Sequence, residues 1–235
     1  MERPHKDTED CLFYMKPFRH IHEMNMRKKL KYDRFSLISQ NCLGGVIYKM
    51  LGLQDQSPTV NMFFRGESFV KLAEDPEKYL FDLEPFPVSE DHEEKGLWPH
   101  PYVGVGDIRL NCLHYSSCEE AIAAWNRRRK RVDPDRILIL ATDWDLNYDE
   151  DLVERILNIK YPKVLFSVRD RYHPDCVYCD KSMYTANAKR IDMPVLTDYM
   201  LGYERCFEKV FDVVKWINDS FDKRESGEKP VNDQN

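Results

Sequence analysis

The chain has 235 residues, enough for one large domain or two small ones, and its 42% apolar and 12% aromatic content is too rich for general disorder. A formal charge of −6, from 35 basic and 41 acidic residues, argues against a nucleic-acid partner, whose backbone calls for a net basic face. No apolar run approaches the ~20 residues that cross a bilayer, and the patch Cys11 to Met15 is too brief for a secretory leader, so we expect a cytoplasmic protein without an integral membrane segment.

Residues 1–16 read as a loose N-terminal arm, 17–222 as one α/β or α+β domain, and 223–235 as a charged, disordered tail. Pro17 to Lys31 is charged with Phe18, Ile21, Met24 and Leu30 interleaved, which predicts a surface helix with Pro17 at its first position. Phe35 to Ser39 reads as a short buried strand. Gly44-Gly45 leads from it into a helix through Leu51, with Gly52 as C-cap. Thr59 to Phe64 resembles a second strand, and Ser68 to Phe81 has helical spacing at Phe69, Leu72, Tyr79 and Leu80. Residues 82–100, rich in Pro, Asp and Glu, predict a loop.

Tyr102 to Val105 and Ile108 to Tyr115 predict a hairpin turning at Gly106-Asp107, with Ile108, Leu110, Cys112 and His114 on one face. Ser116 or Ser117 can cap the next helix, which runs through Ala121, Ile122 and Trp125 into the basic stretch Arg127 to Arg131. Ile137 to Thr142 is the clearest buried strand; Asp143-Trp144-Asp145, a helix from about Asp149 to Ile159 and a strand from Val164 to Val168 follow. A polar loop then carries Cys176 and Cys179. Tyr203, Phe207, Val210, Val214, Ile217 and Phe221 recur every three or four residues and predict one closing amphipathic helix. Helices and strands intermix, which points to a mixed β-sheet flanked by helices.

The seven cysteines, at 11, 42, 112, 118, 176, 179 and 206, are too sparse for a disulfide scaffold and read as reduced thiols. Cys42 differs by position, because it lies where a buried strand gives way to a helix. Unpaired N–H groups at a helix N-terminus lower a thiol's pKa, Gly44 and Gly45 permit close approach, and Gln40, Asn41 or the Cys42 N–H can donate to an oxyanion. The competing view is a small residue packed at a tight turn. A thiol nucleophile needs a base, for which His114 is best placed, and an orienting group, for which Asp143 is favoured with Asp145 and Asn111 as substitutes. Each also has a structural alternative, as a core hydrogen-bonding residue or a turn cap.

Trp125, Arg128, Arg131 and Asp145 are candidate substrate contacts, since guanidinium groups suit phosphate or carboxylate; a solvated basic face is the plain alternative. The pair Cys176-x-x-Cys179 lacks the second pair that structural zinc needs, with His173 and Cys206 as the residues that could complete a set; we expect neither metal nor cofactor.

Two resemblances add to this. At Arg34 to Tyr48, Leu51-Gly52-Leu53, Ser57-Pro58-Thr59-Val60, His114 to Ser117, Glu119-Glu120-Ala121, Trp125, Arg128, Arg131, Thr142-Asp143 and Phe211 to Asn218, the chain resembles exopolysaccharide biosynthesis proteins. Those are similar to products of capsule and surface-glycan gene clusters; the chain departs from them at Gln40, where a second Asn is usual, and at Leu43, where an aromatic is common. The order Cys42, His114, Asp143 also resembles the papain-like layout, one branch of which transfers acyl groups.

The resemblances imply an enzyme of surface-polysaccharide assembly that transfers or hydrolyses an acyl group through Cys42, His114 and Asp143. Its substrate would be a small molecule or glycan, phosphorylated or nucleotide-linked in one variant. Two alternatives stand beside it. One is a glycosyltransferase-like enzyme using Asp143, Asp145, Arg128 and Arg131 on a nucleotide-sugar. The other is a non-catalytic glycan-binding or assembly factor built on Trp125, Trp144 and the arginine face. Residues alone leave the oligomeric state open.

Overall fold

The computed structural model describes residues 15–88, 100–180, 183, 195–199 and 203–225. Most of the arm, residues 89–99 and the end of the tail lie outside them. A four-stranded parallel sheet forms the centre, in the order β1 (Ser36–Ser39), β5 (Ile137–Thr142), β6 (Lys163–Ser167), β7 (Cys176–Tyr178). A three-stranded antiparallel sheet, β2 (Pro85–Val88), β3 (Tyr102–Val105) and β4 (Ile108–Asn111), lies beside it. Among the described residues, six α-helices flank the sheets: α1 (Lys16–Lys29), α2 (Leu43–Leu51), α3 (Gly66–Glu74), α4 (Cys118–Arg129), α5 (Glu150–Leu157) and α6 (Val213–Glu225). The fold is mixed α/β, as expected.

The parallel strands read as unbroken apolar runs because both of their faces are covered. Alternate side chains serve opposite cores. Leu37, Leu138, Leu140 and Phe166 pack with Ile47, Tyr48 and Met50 of α2 and with Val214, Ile217 and Phe221 of α6. Ile38, Ile139, Ala141 and Leu165 pack on the other side with Phe69 and Leu72 of α3, Trp125 of α4, Val153 and Ile156 of α5, and the inner face of the antiparallel sheet. Helix α2, which follows β1, therefore covers one face, whereas α5, which follows the neighbouring β5, covers the other. Adjacent strands whose helices diverge leave a crevice at their carboxyl ends, where open α/β sheets bind ligands.

Several local expectations change. Residues 59–64 form turns instead of a strand: the Met62 N–H donates to the Thr59 carbonyl, Asn61 takes φ 64°, and Phe63 makes an isolated bridge to Asn111. The helix expected over 68–81 stops at Glu74, because Asp75 precedes Pro76 and is held out of the helical region; a π-helical turn, Lys78–Asp82, follows. The expected loop 82–100 opens with β2. Cys176 lies on edge strand β7 instead of a loop, with Cys179 just after it. The closing helix begins only at Val213: Cys206–Lys209 is a separate 3₁₀ turn, and Asp212 Oδ1 accepts from the Lys215 N–H at 2.9 Å to start α6. No helix among the described residues is long and apolar enough to cross a membrane.

Candidate active site

The carboxyl ends of β1 and β5 are shaped by short-range hydrogen bonds. Ser39 ends β1, and its Oγ accepts from the Gly44 N–H at 3.2 Å. Asn41 Oδ1 accepts from the Leu43 N–H at 3.1 Å. These two side chains turn the chain from strand to α2 with Cys42 at the corner. Gly44 is required there, since a Cβ on it would lie 2.7 Å from the Cβ of Ser39.

A strap, residues 57–65, then carries the other half of the site into reach. Thr59 Oγ1 accepts from the Ser39 N–H at 3.1 Å, and the Phe64 N–H donates to the Gln40 carbonyl at 2.9 Å. One residue earlier, Phe63 bridges to Asn111 at the end of β4. The strap thus bonds to both sheets, and β4 delivers its next residues to the β1 edge. His114 lies not on the strand face with Ile108 and Leu110 but on a turn closed by the Tyr115 N–H and the Cys112 carbonyl at 3.1 Å.

The outcome is a half-buried thiol beside an exposed imidazole, with Cys42 Sγ 3.2 Å from His114 Nε2. These groups are 72 residues apart in the chain. Clefts of about 490 and 530 Å3 lie elsewhere, beside Arg155 and beside His22.

The surroundings of the thiol work against the expected local activation. Burial, and then the carboxylate of Asp145, push the Cys42 pKa up from its ordinary value, against a smaller pull from its own backbone N–H. The first helical donors are engaged by Asn41 and Ser39, so they do not serve the sulfur. At neutral pH the group is a thiol, and a proton acceptor must generate the nucleophile.

Asp143 does not orient His114. It is fully buried, accepts from Ser167 Oγ at 2.6 Å and from the Val168 N–H at 3.2 Å, and lies 3.6 Å from Arg171. It faces β6, away from the cysteine. The carboxylate beside Cys42 is Asp145, whose Oδ2 accepts from Asn41 Nδ2 at 2.9 Å and Thr142 Oγ1 at 2.7 Å. Asn41 Nδ2 thereby gives one of its two N–H groups to Asp145. Gln40 is buried behind the corner, its Oε1 accepting from the Thr142 N–H at 3.0 Å, while its Nε2 lacks a hydrogen-bond partner.

Trp125 and Arg128 are not substrate contacts. Trp125 is fully buried in the core. Arg128 is 7% exposed; it donates to the Val60 carbonyl at 3.1 Å and to Tyr115 Oη at 2.5 Å, and pairs with Asp55 at 3.3 Å. Arg131 donates to the Asp55 carbonyl at 2.7 Å. Length and charge marked these arginines as ligand binders, but the same properties let them reach across and satisfy loop carbonyls. Val60 packs on Gly45, where an added Cβ would meet Val60 Cγ1 at 3.0 Å. Arg128 and Tyr115 therefore hold the His114 turn against the loop that covers the start of α2. Tyr115, Val60, Ser39 and Thr142 were not assigned to the site, although each falls in a motif of the resemblance, Ser39 and Tyr115 beside Cys42 and His114 and Thr142 beside Asp143.

The cysteine pair at 176 and 179 offers no ligand set: no group of three His, Cys, Asp or Glu side chains among the described residues is placed to hold a metal ion. Cys179 Sγ points to the Val177 carbonyl at 3.7 Å and Cys206 Sγ to the Met183 carbonyl at 3.3 Å.

A family model described as a domain of unknown function, DUF1919, matches residues 13–218. An uncharacterized protein of Haemophilus influenzae (strain ATCC 51907 / DSM 11121 / KW20 / Rd) is 28% identical over 127 residues, which is 54% of this chain. The matched region spans 58% of that relative's length.

Proposed function

We propose, from the premise that the chain belongs to the DUF1919 family of domains of unknown function, that it is a cysteine-dependent acyltransferase or acyl hydrolase acting in surface-polysaccharide assembly. The observation that supports the chemistry is the thiol and imidazole 3.2 Å apart beyond the carboxyl end of β1. The glycan context rests on the resemblance to exopolysaccharide biosynthesis proteins. The acyl step draws further on the papain-like order of Cys42 and His114, with Asp145 in place of Asp143.

Cys42 Sγ attacks the acyl carbonyl carbon while His114 Nε2 takes the thiol proton. The Cys42 N–H, which faces its own sulfur, donates to the developing oxyanion. Collapse breaks the bond to the leaving group, which takes the proton from Nε2. A sugar hydroxyl, an amine or water then attacks the thioester and gives its proton to Nε2, and Cys42 departs and is reprotonated. Asp145 opposes a bare thiolate. The chemistry thus starts from a thiol, with His114 as the base that receives its proton. A glycosyltransferase-like use of Asp143, Arg128 and Arg131 gains no support, since each is engaged within the fold.

Incubation with p-nitrophenyl acetate, a generic acyl donor, tests the reading by peptide mass spectrometry. One acetyl group should appear on Cys42. His114→Ala should slow its appearance by about 10²-fold, the size expected for loss of a general base. Equal rates with and without the imidazole, or labelling confined to other residues, would refute the mechanism.

A further inference from the structure

Helix α1 carries apolar side chains on both sides. Against the protein, Met26 packs on the core among polar contacts: the Arg19 guanidinium sits 3.6 Å over the Tyr199 ring, His22 Nε2 lies 2.6 Å from Glu208, and Arg27 Nε donates to the Met50 carbonyl at 2.9 Å. The side toward solvent carries three more large apolar residues. Phe18 is 57% exposed, Ile21 56% and Met24 39%. They recur every third residue, which places them along one stripe of the helix. No residue of α1 is fully buried. Single exposed apolar side chains are ordinary, but three in one stripe are a surface with a purpose.

Charge indicates what meets that stripe. Exposed His20, Lys28 and Lys29 share the solvent side. The one acid of α1, Glu23, is partly buried and paired with Arg27 at 3.4 Å. A basic and apolar face free of acid stands out on a chain of net charge −6. A second copy meeting it about a two-fold axis would oppose basic face to basic face, which is unfavourable. An anionic bilayer complements both properties: phosphates for the lysines and the acyl boundary for the apolar stripe.

We infer that α1 docks the protein on an anionic membrane surface, with Phe18, Ile21 and Met24 inserted at the headgroup–acyl boundary and Lys28 and Lys29 on lipid phosphates. The helix lies in the interface plane and does not cross it. This anchoring stands independently of the acyl chemistry.

Flotation of the full chain with vesicles of phosphatidylcholine alone, or mixed with phosphatidylglycerol, tests it. The protein should float with the mixed vesicles only, less so as salt rises. Lys28→Gln and Lys29→Gln should each weaken binding about fivefold, and Ile21→Glu at least about tenfold. Phe86→Ser, which alters an exposed aromatic on β2, should leave binding unchanged. All four side chains are exposed, so the circular dichroism spectrum should not change. Absence of binding to the mixed vesicles, or binding indifferent to the α1 substitutions, would overturn the inference. So would a dimer that Ile21→Glu dissolves without any lipid effect, since that would identify a second copy as the occupant.

Discussion

Asp143 and Asp145 leave the same end of β5 two residues apart, and they enter different surroundings. Asp143 turns toward β6 and is closed over by Ser167, the Val168 N–H and Arg171, which is itself held by Glu150 at 2.5 Å. Asp145 turns toward β1 and meets Asn41 and Thr142 beside a half-buried thiol. Burial pushes the Asp143 pKa up, against the opposing pull of Ser167, the Val168 N–H and the two arginines, 169 and 171. Two identical side chains thus divide the work: one joins neighbouring strands, and the other supplies charge at the crevice. Burial and available donors decide which does which, and chemical type alone does not.

Asp143→Ala is the sharpest way to break this comparison. It removes the carboxylate that meets buried Ser167 Oγ and the Val168 N–H and that lies beside Arg171, which keeps Glu150 and Ser167 Oγ as partners, so about 3 kcal/mol of stability should be lost. For a domain of this size that lowers Tm by roughly 6–12 °C, measurable by calorimetry. The alkylation rate of Cys42 in the folded protein should hardly move. A large loss of Cys42 reactivity without loss of Tm would return Asp143 to the site.

Gly44→Ala comes next. The new methyl group meets Ser39, which must shift, and overpacking at such a contact costs roughly 1–3 kcal/mol. Because Ser39 also caps the start of α2, Cys42 should lose reactivity toward iodoacetamide along with stability.

Tyr115→Phe keeps the ring and removes the hydroxyl that accepts from Arg128. Stability should fall by about 1 kcal/mol, the usual net value of one hydrogen bond. If the His114 turn is fixed by this contact, acetylation of Cys42 should slow by more than that change in Tm implies. A rate equal to that of the unaltered chain would make the Arg128 cluster a stability device only.

Asp145→Asn is the mildest. Stability should change by less than about 1 kcal/mol, since the residue is partly exposed and the amide oxygen can still accept a hydrogen bond. The sign of the titration is the informative part. Asp145 raises the Cys42 pKa, so neutralising it should move the pH midpoint of alkylation down toward the ordinary thiol value of 9.0. A midpoint that rises would reverse the assigned electrostatics.

Local pattern made the central elements readable. The apolar runs of β1, β5 and β6, the glycine that caps α2 and the Ser117 cap of α4 follow from contacts within a few residues. Cys42 and His114 were both singled out from their flanks, although no local rule could supply the 3.2 Å between them. What escaped the pattern is tertiary. Residues 59–64 alternate like a strand, but they are spent joining the two sheets. Trp125 and Arg128 sit on one helix with a basic run and look like a platform, yet the core takes one and loop carbonyls take the other. A fixed spacing of aromatic and aliphatic residues from 203 to 221 hides a 3₁₀ turn and a fresh start at Asp212. The choice between Asp143 and Asp145 depended on which neighbour strand each would face, and that is set by strand order.

The strap over residues 57–65 has a further implication for how the chain reaches its native state. Contacts between distant segments form only after the entropy of closing the intervening loop has been overcome. Because the imidazole arrives on one sheet and the sulfur on the other, their meeting marks the moment at which the two halves dock, while the strands within each half can pair sooner. Pulsed alkylation during refolding would then time that docking, with position 42 as its built-in clock.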